Sequence, residues 1–158
     1  MPRSMPLASL YEWLMFVHVL AAMVWLGGLV ALLAFGRRTL SEADPGAVAR
    51  FVGSLRVVGP AFLAPAAGLV LALGIWMVLD SDAWDFGQTW VWLGLAVLVA
   101  AALVGAIFLS RAGLAAERAV QAADTAEALR QLRLWSAGIG VIVALLVVAT
   151  WDMVFKPG

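Results

Sequence analysis

The chain of 158 residues contains no cysteine, one histidine and one tyrosine. Without cysteine there can be no disulfide, thiolate metal site, iron–sulfur cluster or c-type haem attachment. Charge is also scarce: 13% of residues are charged, ten basic against ten acidic, for a formal net charge of zero. No electrostatic case therefore exists for a nucleic-acid partner. The sequence holds no phosphate-binding glycine loop, no serine, histidine and aspartate set with catalytic spacing, and no carboxylate pair inside an apolar run.

What the chain has in excess is apolar surface, with 65% hydrophobic residues and a mean hydropathy of +1.01. Soluble domains are about half apolar and about a quarter charged, so this composition describes an integral membrane protein. Four segments reach the ~20-residue spanning length: Leu10–Phe35, Val57–Leu79, Trp90–Ser110 and Trp135–Phe155. In lipid every backbone polar group must be satisfied internally, so the spans are expected to be helices. The first run is far longer than the ~7–15 apolar residues of a signal peptide, so it reads as a span. The expected fold is an all-α four-transmembrane-helix bundle in one domain.

Basic residues orient it. Arg37, Arg38, Arg50 and Arg56 fall between spans one and two, and Arg111, Arg118, Arg130 and Arg133 between spans three and four. Only Arg3 and Lys156 lie on the other side. The positive-inside rule then makes both connections cytoplasmic and points both termini outward, across a bacterial plasma membrane. The remaining loop, with Asp80, Asp82 and Asp85, is acidic. Trp13, Trp84, Trp90, Trp92 and Trp151 suit an outer aromatic belt, and Trp135 an inner one.

The cytoplasmic connections read as helical extensions. Asp44 followed by Pro45 is an N-cap with proline at the first helical position. Asp124 to Glu127 has the spacing of a capping box, which predicts that helix three runs to about Gln121 before a sharp turn. Two long helical hairpins follow. Val24-Trp25-Leu26-Gly27 and Val91-Trp92-Leu93-Gly94 also echo one another, as a duplicated hairpin would.

His18 is the residue that speaks of chemistry. An ionisable side chain at membrane depth is costly and marks a functional-site hypothesis. On a helical wheel Tyr11, Leu14, His18, Ala22, Trp25 and Leu29 share a stripe, with Met15 and Gly28 at its edges. At ~1.5 Å per residue His18 lies about 10 Å inside the outer end of its span. Met15, Met77, Asp80, Asp152 and Met153 fall at the same level. Two chemistries suit such a set. A b-type haem takes one or two axial ligands, and His with His or Met is a usual pair. With one histidine, a bis-His site requires a homodimer, whereas Met77 or Met153 could complete a His/Met pair within one chain. Imidazole with thioethers also suits Cu(I). Against these stand structural readings: His18 bonded to a neighbouring helix, the methionines as packing, and Asp152 paired with Lys156 four residues on. Pro60 and Pro65 in span two invite a kink, and the carbonyls they free could line a cavity.

The run His18-x6-Trp25-x2-Gly28-Leu29 resembles the first helix of the CopD-like copper-resistance membrane proteins and of the related HemJ-type protoporphyrinogen oxidases. The Gly74-Ile-Trp76 element and the Met153-Val-Phe-Lys156-Pro157 ending are similar to small bacterial members of that group. The HemJ branch implies haem on a histidine matching His18. It also carries an arginine soon after the Trp…Gly-Leu element and a lysine opening a later span. Here Arg37 and Arg38 come too late, and the third span opens Gln88-Thr-Trp-Val-Trp without lysine, so the oxidase activity is not implied. The expectation is a homodimeric haem-binding protein for electron transfer or haem handling, with His18, Trp25, Gly28, Met77 and Met153 at the site. The redox partner is unspecified. A copper-handling protein and an accessory subunit with a structural His18 stand as alternatives, and a protoporphyrinogen-oxidising enzyme as the last of them.

Overall fold

The computed structural model describes residues 10–80 and 85–156. Arg3, Asp82, Trp84 and Pro157 lie outside them. Four helices account for most of the described chain: α1 (Leu10–Glu42), α2 (Pro45–Leu79), α3 (Thr89–Gln121) and α4 (Thr125–Phe155). Each is long and apolar enough to cross a membrane, and each contains one expected span. At ~1.5 Å per residue they measure about 50 Å against a hydrocarbon core of about 30 Å, so they project beyond it. The all-α four-helix class and the two long hairpins are as the sequence leads one to expect.

Both connections are set by local chemistry. Asp44 accepts a hydrogen bond from the Ala47 N–H at 2.7 Å, with Pro45 opening α2. At the end of α3 the Asp124 N–H donates to the Ala119 carbonyl and the Ala123 N–H to Val120, the pattern of a Schellman turn. Asp124 then caps α4 by accepting from the Glu127 N–H at 3.0 Å. Only half of the expected capping box forms: the Glu127 carboxylate turns instead to Arg130 and Gln131. Arg56 of α2 meets Glu117 of α3 at 2.9 Å. The two connections thus share one end of the bundle, the arginine end, and the start of α1 and the end of α4 share the other, the terminal end.

The helices pack in the order α2–α1–α4–α3, while α2 and α3 touch sparsely outside the arginine end. Trp25, Leu29, Leu132, Ile139 and Ile142 anchor the shared core. Val48, Val52, Ala116, Ala119 and Ala128 form a second, small-residue cluster near the connections. Phe16, Met23, Phe62, Phe108, Val147 and Phe155 are exposed, as lipid-facing side chains should be. Lipid is as apolar as leucine, so helix association depends on close approach at small residues. Gly36 provides one such place: a Cβ there would meet the Ser136 hydroxyl at 3.2 Å and the Phe51 ring at 3.3 Å.

Three expectations change. Trp135 does not sit in an interfacial belt but is buried, edge-to-face on Phe51 with ring centres 5.7 Å apart. The echo of spans one and three is not structural: Trp25 is buried and Trp92 exposed, while Gly27 faces open space and Gly94 a packed interface. Helices α2 and α3 are not α-helical throughout, for Gly59–Leu63 and Val104–Leu109 form π turns. Pro60 lies in the first of them, where its missing N–H removes a ladder bond.

Candidate functional site

His18 lies on the inward stripe of α1, between Leu14 and Ala21, and is 7% exposed. Its Nδ1 is buried without a hydrogen-bond partner. The backbone carbonyl of Val70 on α2 is its polar neighbour. Gly74, one turn further along α2, makes room for the ring: a Cβ there would lie 3.3 Å from His18 Cε1 and 3.7 Å from Nδ1.

The imidazole borders a cavity of about 100 Å³ near the terminal end of the bundle. Met77 from α2 and Met153 from α4 line the same cavity, with Tyr11, Trp90 and Gly94. One imidazole and two thioether side chains from three helices therefore border one small cavity. Behind Gly94 sits Asp152, which is fully buried; its carboxylate has the Gly94 backbone as polar neighbour but no partner at full hydrogen-bond geometry. A Cβ on Gly94 would come within 3.0 Å of Asp152 Oδ2 and 3.7 Å of Met153 Cε. The expected Asp152–Lys156 pair is not present: the Lys156 ammonium lies over the Trp90 ring, 5.2 Å from its centre.

The other residues expected at the site lie elsewhere. Trp25 and Gly28 do not reach the His18 cavity. Trp25 belongs to the core and borders a larger cavity, of about 760 Å³, nearer the arginine end. Gly28 receives Leu63 of the α2 π turn, 2.9 Å from where its Cβ would be. Met15 is 42% exposed and faces lipid, and Asp80 is an exposed residue ending α2. Gly94, by contrast, figured in the sequence only as part of the echo of span one and not as a site residue, because its role depends on which helix passes it. Gly74 was marked only by the resemblance of its surroundings.

Among the described residues, no three His, Cys, Asp or Glu side chains cluster as a metal site. A metal here would rely on thioether sulfur, and thus on a soft ion. The two cavities meet at Leu71 and Leu98, which border both. Neither alone suits a porphyrin held by protein: the cavity with the imidazole has the volume of an ion and a few small groups, and the larger one has no histidine or methionine in its lining.

A four-helix integral membrane protein with one buried polar centre near its terminal end is the class that this architecture defines. Residues 12–157 match the family described as a predicted integral membrane protein, DUF2269, and the chain belongs to it. No curated protein and no solved structure matches the chain.

Proposed function

We propose that this is a copper-handling membrane protein that holds Cu(I) through His18, Met77 and Met153. The observation that carries the reading is the orphaned, buried Nδ1 of His18, a residue that lines a small cavity together with two methionines. A buried polar atom without a partner is uncommon and calls for an unplaced ligand or ion. Imidazole and thioether together select Cu(I) over harder cations. The buried Asp152 carboxylate beside Met153 supplies a negative charge near the monovalent cation, which offsets the cost of charge in a low-dielectric interior. All ligands come from one chain, so the centre needs no dimer. The arginine distribution supports an outward-facing site, with both termini outside a bacterial plasma membrane. The CopD-like resemblance of the His18 helix agrees with this chemistry.

The expected b-type haem is less well served, since a porphyrin on His18 would need the two cavities to merge across Leu71 and Leu98. The deciding experiment is anaerobic titration of purified protein with Cu(I) against a chromophoric chelator. One equivalent should bind, and His18→Ala, Met77→Leu and Met153→Leu should each weaken it by roughly tenfold or more. Unaltered affinity in all three variants would sink the copper reading. So would a Soret band from protein made in haem-replete cells that disappears in His18→Ala.

A further inference from the structure

The larger cavity, about 760 Å³, draws its walls from all four helices and lies in the gap where α2 and α3 stand apart. Both π turns border it, through Pro60 and Leu63 on α2 and Gly105 and Leu109 on α3. Trp25 and Trp135 are among the residues behind. Its volume lies within the range of small-molecule sites, about 300–1,000 Å³. Almost the whole lining is apolar. Among the described residues, the only charged side chains in it are Arg56 and Glu117, at the arginine end, where seven further arginines of the same two connections and helix ends gather.

The gap opens towards lipid, so an acyl chain is the molecule most abundant at its entrance. The lip supplies a second, independent preference. Arg56 is 72% exposed, and one of its terminal nitrogens is used by Glu117. A guanidinium has five N–H donors in a planar fork that matches phosphate oxygens. Basic pockets between transmembrane helices at such an end recognise anionic headgroups. Glu117 is the competing anion at this lip, and an exposed ion pair of this kind is weak. An isoprenoid or a porphyrin is less suited. The former, as a quinone, has no anionic group for Arg56, and the latter would find no axial ligand in this lining.

We propose that the cavity between α2 and α3 is a binding site for an anionic phospholipid, with one acyl chain between the π turns and the phosphate on Arg56. The site is independent of the metal reading, because His18, Met77 and Met153 do not line it.

The test is native mass spectrometry of the full chain, delipidated in mild detergent and re-supplied with phosphatidylglycerol or phosphatidylcholine of identical acyl chains. One phosphatidylglycerol should be retained in preference to phosphatidylcholine. Arg56→Gln should lower that preference roughly tenfold, the loss expected for a hydrogen bond to a charged group. Gly105→Leu should remove binding of both lipids by filling the cavity. The new Cβ there meets only Ile142 Cδ1, at an ordinary 3.8 Å. Ala102→Phe is the second filling variant should the first fail to fold. Inorganic phosphate alone should neither bind nor displace lipid. Equal retention of the two lipids, an Arg56→Gln protein that keeps the preference, or a stoichiometric porphyrin or isoprenoid in the cavity would overturn the proposal.

Discussion

At the scale of single residues, the bundle is governed by where it has no side chain. Gly74 leaves the His18 imidazole its place, and Gly94 does the same for Asp152. Gly74→Ala gives a clean separation of stability from function. The helix gains up to ~1 kcal/mol in propensity, while crowding the ring costs ~1 kcal/mol or more. Thermal melts should therefore move little, whereas Cu(I) affinity should fall as the ring is displaced. Retained affinity would mean that the imidazole position does not matter. Asp152 offers a second contrast, since its buried oxygens have no partner at full hydrogen-bond geometry. Asp152→Asn should leave the metal-free protein as stable as wild type or more so, because an unsatisfied buried charged group is removed. The same variant should bind Cu(I) less tightly. A metal-free variant that melts well below wild type would show that the carboxylate has a structural partner. His18 was legible from sequence because a lone imidazole in an apolar helix has few explanations. Asp152 was misread because sequence spacing shows Lys156 one turn away but not that α3 passes closer.

At the scale of elements, the helix boundaries were the most legible part, since caps are local. Asp44, Pro45 and Asp124 act at the positions that their chemistry dictates. Replacing either aspartate by alanine should cost about 1 kcal/mol, measurable by denaturation in detergent. The turns themselves are less well made. Ala43 and Ala123 both hold positive φ, 50° and 56°. An L-residue pays roughly 1–2 kcal/mol for that conformation, and glycine is the usual occupant of such helix ends. Ala43→Gly and Ala123→Gly should each stabilise the protein by about 1 kcal/mol, a gain that glycine elsewhere in a helix would not bring. A melting temperature that falls on either change would contradict the turn geometry. The π turns could not be read from residue pattern. Pro60 hints at a disturbed ladder in α2, but nothing in Val104–Leu109 announces one in α3.

At the scale of the whole molecule, the sparse contact between α2 and α3 makes the bundle an open ring closed chiefly at its arginine end. The Arg56–Glu117 pair spans that end, yet its exposure limits its worth. A double-mutant cycle should give a coupling energy below ~1 kcal/mol, and a larger value would mean that lipid or protein shields the pair. Membrane orientation can be tested with unusual economy, because the chain has no native cysteine to interfere. Asp80→Cys should react with a membrane-impermeant maleimide added to intact cells, and Ala122→Cys only after the membrane is opened. The reverse pattern would invert the topology. The four-span layout was readable from hydropathy alone, since each span is about as long as the bilayer requires. The way the spans surround two cavities was not. It depends on the packing of small residues between distant parts of the chain.

The paired π turns have one further consequence. A π turn closes its hydrogen bond one residue later than an α turn, and at ~3.6 residues per turn one surplus residue rotates all that follows by about 100°. The arginine half and the terminal half of α2, and likewise of α3, are thus phased separately about their common axes. Deleting one residue from either turn would rephase a whole half-helix, turning its lipid face inward while leaving composition almost untouched. The widened middle of the bundle is therefore written in chain length, and single-residue insertions and deletions at these two places should reshape the interior more than most substitutions.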